Sequence, residues 1–251
     1  MGKALGHDGV SNEMLIVAQS VELVEILRVM FQAIFSSGHI PSHFNTAIVC
    51  PIPKGKIVPS APGDFRPISI SSSLATVFES LILGHAAGVL KKTHGNQFGY
   101  RTATSCKHAY FALNETIRYY QARGTSVHVA SLDAEKAFDS LWRNGLFHKL
   151  IVRIPDLTWR ALVTYYNQSL ARARYNDQQT STFAISGGVK QGGIRSPFLF
   201  NFFIDDLLKG CTDLRLGCKL GRSNVSILAY CDDIVLVSAS LGQLRQLLLF
   251  Y

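Results

Sequence analysis

A chain of 251 residues with 47% hydrophobic content can bury one large core or two small ones, which excludes an intrinsically disordered protein. Its 25 Lys and Arg against 17 Asp and Glu leave a formal charge of +8, which favours a polyanionic partner without requiring one. Five scattered cysteines, with no Cys-x-x-Cys pair, argue against a disulfide framework or structural zinc and point to a reducing intracellular compartment, nuclear or cytoplasmic. No apolar run is long enough to span a bilayer and no basic segment with an apolar core opens the chain, so no membrane partner is expected.

In chain order, Ser11 or Asn12 caps one long amphipathic helix that carries Leu15 to Ile34 at helical spacing and stops before Pro41; its apolar side reads as core. Thr46 to Lys54 reads as a strand whose prolines place it at an edge or end. A Pro-, Gly- and Ser-rich loop follows, and then Asp64-Phe-Arg-Pro-Ile-Ser69 sets a lone Arg against a rigid turn. Ser72 or Ser73 starts a helix to about Lys91 with Val77, Leu81 and Leu83 facing inward. Asn96 to Arg101 is irregular, and a helix spans about Thr104 to Arg123. Ser126 to Asp133 reads as a buried strand, Ala137 to Leu150 as helix, and a further helix follows Pro155 to about Ser169. Leu170 to Tyr175 and Ser181 to Ile185 form a hairpin, a Gly-rich loop runs to Gly193, and Ser196 with Pro197 opens a helix through Leu208. Leu241 to Tyr251 begins one more helix.

Between those last two helices, Ser226 to Ser238 holds two Ile-, Val- and Leu-rich arms that meet at Asp232 and Asp233, a β-hairpin with a pair of carboxylates at or beside its turn. Two anions this close repel, so either one is protonated or a cation relieves them. The plain alternative is ordinary turn chemistry. Asp133 also ends a strand. Two such strands side by side would bring three acids to one sheet edge and build an oxygen-lined clamp for two metal ions, the arrangement that suits phosphoryl transfer. Gly187-Gly-Val-Lys-Gln-Gly-Gly193 lets backbone approach a ligand, or simply makes a tight turn. Asp205 and Asp206 read as the polar face of a helix remote from the hairpin.

These segments, in this order, resemble the reverse transcriptase domain of non-LTR retrotransposons, in particular the jockey-like group. Ser131-Leu-Asp-Ala-Glu-Lys-Ala-Phe-Asp139 is similar to the family's first catalytic motif, Gly187 to Pro197 to its template-positioning motif, and Tyr230-Cys-Asp-Asp233 to its metal hairpin. Pro51-Ile-Pro-Lys54, Asp64 to Ser69 and Gln97-Phe-Gly-Tyr-Arg101 resemble its fingers motifs. The resemblance implies an α+β fold of fingers (about 1–125 and 151–186) and palm (about 126–150 and 187–251), with a mostly antiparallel palm sheet backed by helices. It implies RNA-directed DNA synthesis on a primed RNA or DNA template from deoxynucleoside triphosphates, with two Mg²⁺ (or Mn²⁺) held by Asp133, Asp232 and Asp233. Lys54 and Arg66 would meet the triphosphate, Phe138 would pack under the sugar and exclude a 2′-hydroxyl, and Gln191 with Gly192 would position template and nucleotide. Against this stand plainer roles: Phe138 in a helix core, Lys54 at a solvated strand end, Arg66 in a loop salt bridge. Asp139 is expected to support the site structurally.

Two residues depart from the family pattern. Cys231 replaces a usual Ala, and Arg195 stands where an aliphatic residue is usual, which raises the alternative of an inactive relic. A group II intron-type enzyme is disfavoured because no maturase-like segment is present. The thumb is expected to lie outside the chain, and fingers and palm alone should grip a duplex weakly and salt-sensitively.

Overall fold

The computed structural model describes residues 4–55, 61–176, 178–193 and 195–251; part of the Pro-, Gly- and Ser-rich loop and Ile194 of the Gly-rich motif lie outside these. In chain order, α1 (Asn12–Val17) and α2 (Val21–Ser37) start where the Ser11 and Ser20 hydroxyls accept from the Met14 and Leu23 N–H groups. The single helix expected here is thus two, because Ser20 caps a fresh start. Then come β1 (Thr46–Pro53), β2 (Phe65–Ser71), α3 (Ser73–His85), α4 (Ala87–Leu90), α5 (Cys106–Gln121), β3 (His128–Asp133), α6 (Ala137–Ser140), α7 (Arg143–Leu150) and α8 (Asp156–Asn167). The rest is β4 (Leu170–Tyr175), β5 (Gln178–Gln179), β6 (Phe183–Ala184), α9 (Ser196–Asp213), β7 (Lys219–Leu220), β8 (Ser223–Asn224), β9 (Ile227–Tyr230), β10 (Asp233–Ser238) and α10 (Leu241–Phe250). The expected helix from Ala137 to Leu150 breaks where Trp142 takes an extended conformation before α7. The mixture of helices and sheets is the expected α+β class.

One compact unit joins the chain up to Val89 with Phe138–Ser196. Its sheet runs β2-β1-β4-β5, with β6 also on β4; β1 is antiparallel to β2 and parallel to β4. The Pro-rich strand is therefore internal rather than an edge. β4 covers only Thr46 to Val49, so Pro51 and Pro53 fall where no bond to β4 is required. Asp64 to Ser69 is mostly strand, not a turn, and sets Arg66 opposite Ile52. The core centres on Phe78, fully buried, whose ring lies 5.4, 5.4, 5.7 and 6.0 Å from those of Phe31, Phe35, Phe44 and Tyr165. α3 turns Phe78, Ile82 and Leu83 inward, while Val77 and Leu81, expected there, are exposed. α2 buries only Phe31 and Ile34 and leaves Val21, Val24, Ile26 and Val29 in solvent, so its reading as core holds only near its end.

The second unit joins Leu90–Ala137 with Pro197–Tyr251 around an antiparallel sheet, β3-β10-β9. Period-two alternation sends Ile234 and Leu236 of β10 to one face, with Leu208 and Cys211 of α9 and Leu244 and Leu247 of α10. Val235 and Val237 go to the other, with Phe98, Leu113 and Tyr120. Among the described residues β3 pairs only with β10, and its residues alternate between half-buried and exposed instead of forming the buried strand expected. The compact units do not coincide with the expected fingers and palm ranges. Residues 90–125 go with the second unit because α5 packs on β9 and β7, and residues 187–196 with the first because Gly188 and Val189 donate to the Leu141 and Phe138 carbonyls.

Phe78→Ala should cost about 3–5 kcal/mol in urea unfolding, because four rings lose their common neighbour, whereas Val24→Ala on the solvent side of α2 should change stability by less than about 0.5 kcal/mol.

Candidate active site

In the second unit, Asp133 is the last residue of β3 and Asp233 the first of β10, and the two stand directly opposite in the antiparallel register. Tyr230 pairs with Asp233 across the hairpin, so Cys231 and Asp232 make a two-residue turn. Cys231 is buried with a φ of 59°, a left-handed conformation that an L-residue adopts at some cost and that recurs at functional sites. The fold thus gathers Asp133, Asp232 and Asp233 at one end of one sheet. Burial pushes the Asp232 carboxyl above its ordinary range, and the neighbouring Asp233 and Asp133 push it further, against a lowering hydrogen bond from its own backbone. Burial and then Asp232 push the Cys231 thiol up to about 12, so no thiolate competes as a soft ligand. Among the described residues no three His, Cys, Asp or Glu side chains close into a ready metal cage. The donor set is nevertheless one of hard oxygens under mutual repulsion, which fits Mg²⁺ or Mn²⁺.

The turn is held from outside by Gln97, which is 1% exposed. Its Oε1 accepts from the N–H groups of Cys231 (2.8 Å) and Gly99 (2.9 Å), and its Nε2 donates to the Cys231 carbonyl (3.4 Å). Backbone bonds from Phe98 to Ala229 (2.8 Å) and from Ala229 to Asn96 (2.9 Å) lay the segment along β9, and Asn201 Nδ2 donates to the Gly99 carbonyl (2.8 Å). Gly99 cannot be larger: an added Cβ would stand 2.5 Å from the Cys231 nitrogen. Gln97 to Arg101, expected among the fingers motifs, therefore buttresses the carboxylate hairpin in the second unit. Asp205, expected on a polar helix face, is 5% exposed; it accepts from the His94 N–H and pairs with Lys209 at 2.6 Å, so it fixes the start of that buttress.

The first unit holds the remaining predicted residues. Lys54 is exposed just past β1, its N–H donating to the Asp64 carbonyl at 2.8 Å, and Arg66 is exposed on β2. The Gln191 carbonyl accepts from Ser69 of the same strand at 2.8 Å, and Gly192 lies against Ser69 and Ile68. The Gln191 Oε1 is buried with no hydrogen-bond partner among the described residues. Phe138, half-buried on α6, accepts from Val189 through its carbonyl at 2.8 Å. Gly188, with a φ of 67°, sits so close that a Cβ would be 2.5 Å from the Phe138 and Asp139 carbonyl oxygens. The unit thus brings Arg66, Gln191 and Gly192 to β2 and joins Phe138 to the same Gly-rich loop; the three acids belong to the other unit. Sequence reasoning passed over Gln97, Glu79, Arg143 and Lys190. Glu79 and Arg143 are single polar residues inside expected helices, and Gln97 and Lys190 stand inside motifs read for other residues.

Residues 52–249 match the family described as Reverse transcriptase (RNA-dependent DNA polymerase), and the chain belongs to it. Its curated relatives are RNA-directed DNA polymerases of non-LTR retrotransposons. It is 26% identical over 95% of its length to the probable RNA-directed DNA polymerase from transposon BS of Drosophila melanogaster, and 24% identical over 95% to that from mobile element jockey of the same fly. To the Pol polyprotein of a type-1 R2 element from Popillia japonica it is 27% identical over 93%. The chain spans 26%, 26% and 32% of those relatives. An apo telomerase structure from Candida Tropicalis shares the fold, with a TM-score of 0.57 and 12% identity over 91% of this chain and 51% of that one.

Because the folded chain holds the Asp232 proton more tightly than the unfolded chain does, this site stabilises most below the ordinary carboxyl range, and that contribution is lost as pH rises through the raised value. Metal-free Asp232→Asn should therefore melt at a higher temperature than the wild type at pH 7, and the gap should narrow on acidification. Added Mg²⁺ should raise the wild-type melting temperature and leave the variant unchanged; a variant that melts lower at pH 7 would show that the carboxylates are not under this strain.

Proposed function

We propose that the chain is the catalytic core of an RNA-directed DNA polymerase that extends a primer 3′-hydroxyl on a nucleic-acid template using deoxynucleoside triphosphates. The observation that carries this reading is the register of Asp133 opposite Asp233, with Asp232 in the adjoining turn. These three carboxylates would hold two Mg²⁺, or Mn²⁺, and bound there the ions would make the primer hydroxyl a better nucleophile and neutralise charge on the leaving pyrophosphate. Lys54 and Arg66 would meet the triphosphate, an ammonium as a point charge and a guanidinium as a fork. Phe138 would press on the sugar and discriminate by shape against a 2′-hydroxyl. Gln191, with its unpartnered side-chain oxygen, and Gly192 would position template and nucleotide. The chain's basic balance suits a primer–template.

The relic alternative rested on Arg195. That side chain is half-buried, and its charge opposes the rise that burial imposes on the Glu79 carboxyl.

Primer extension by the chain tests the proposal. Asp133→Asn and Asp232→Asn should each reduce incorporation by at least about 10²–10³-fold, and retained synthesis by Asp232→Asn would sink the assignment. Phe138→Ala should admit ribonucleotides with the response to Mg²⁺ intact; unchanged sugar selectivity would return Phe138 to a packing role.

A further inference from the structure

The Gly-rich loop of the first unit contains the residues proposed to position template and nucleotide, yet it has few side chains with which to fix itself. Gly187, Gly188, Gly192 and Gly193 contribute none, and beside its backbone bonds to Leu141, Phe138 and Ser69 the loop is held by two buried cations that the catalytic reading leaves unused. Arg143, 5% exposed, takes the near end: its Nε donates to the Gly188 carbonyl at 2.6 Å, and its guanidinium to the carbonyls of Ile185 and Tyr166, both at 2.7 Å. Lys190, 4% exposed, takes the far end, next to Gln191.

The Lys190 ammonium has three N–H donors, and the fold supplies three acceptors. Nζ donates to Asn45 Oδ1, to the Tyr165 hydroxyl at 3.3 Å and to the Ser71 hydroxyl at 3.4 Å. These acceptors stand just before β1, on α8 and at the end of β2. Asn45 is itself fixed, since its Nδ2 donates to the Tyr165 carbonyl and to Ser169 Oγ. Glu79 of α3, 2% exposed and reached by the Tyr166 hydroxyl at 3.4 Å, is the opposite charge: burial raises its carboxyl and the Lys190 charge opposes that rise, while burial lowers the Lys190 ammonium to about 8 and Glu79 opposes that fall. Apolar residues of similar volume would fill such an interior at less cost in desolvation, so a buried pair of this kind points to a requirement for one defined geometry. One residue along, the Gln191 carbonyl accepts from Ser69, two residues before Ser71 on β2.

We propose that Lys190 is a positioning residue for template and nucleotide: its ammonium, balanced by Glu79, pins the loop to Asn45, Ser71 and Tyr165 and so sets Gln191 against β2. This role rests on the polymerase reading given above, but the pin itself is a property of the first unit and is measurable without activity.

The test compares Lys190→Met, which keeps much of the volume, with the double variant Lys190→Met/Glu79→Gln. Lys190→Met should raise the KM for deoxynucleotide about tenfold or more with kcat changed less than about threefold, and should speed hydrogen exchange at the Ser69 amide about tenfold. The double variant removes the countercharge as well, so it should recover the melting temperature while the KM and Ser69 defects persist. Recovery of KM along with the melting temperature would overturn the proposal and reduce Lys190 to charge balance. An unchanged KM and Ser69 exchange rate in Lys190→Met would overturn it too. If the wild type incorporates nothing, the polymerase reading falls, and Ser69 exchange alone decides whether the pin exists.

Discussion

Three carboxylates at one end of a three-stranded sheet repel one another, and little in their own interactions keeps them together. The second unit is arranged to bear that repulsion. β10 is the central strand, paired on both sides and packed on both faces, so its first residue, Asp233, cannot drift without disturbing two apolar clusters. The turn that carries Asp232 is held in a left-handed conformation by a buried amide from another part of the chain, Gln97, and that segment is fixed in turn through Asn201, Asp205 and His94. Rigidity of this kind is the physical content of a preorganised site: the electrostatic strain is carried by the apolar packing of the sheet and by one side-chain clamp.

The first unit meets the opposite problem. Its glycine loop has almost no side chains of its own, and the interior beneath is cationic, with Arg143 and Lys190 buried and Glu79 as countercharge. Carboxylates gathered at a sheet end in one unit and cations buried beneath a loop in the other are two ways of placing charge on a fixed backbone. The first leaves repulsion for a bound cation to relieve. The second satisfies every donor of its ammonium internally, and so fixes geometry without recruiting anything.

What was legible in the sequence was whatever rested on local pattern. The hairpin around Asp232 and Asp233, the helices α5, α8, α9 and α10 and the β4 hairpin follow from period and capping residues alone, as do the strand-end places of Asp133 and Asp233. What was not legible depended on partners far away in the chain. Periodicity joined α1 and α2 across Ser20 because a cap inside an apolar repeat does not interrupt the repeat. The prolines of β1 suggested an edge, and only the short overlap with β4 shows how an internal strand tolerates them. Asp205 and Asp206 look alike in sequence, yet only the first is buried, because the helical turn faces it toward the His94 backbone. Gln97, Glu79 and Lys190 carry their meaning chiefly in contacts that span from a few tens to more than a hundred residues, and no single-sequence pattern marks them.

The register that joins Asp133 to Asp233 also sets a timetable. Each compact unit is built from two stretches of chain interrupted by part of the other, so neither is complete until its later stretch has been made. During synthesis β3 emerges about a hundred residues ahead of its only strand partner, a wait of roughly 5–20 s at 5–20 residues per second. An unpaired strand is an invitation to the wrong neighbour. β3 ends on a charge, and a terminal carboxylate opposes stacking against another copy.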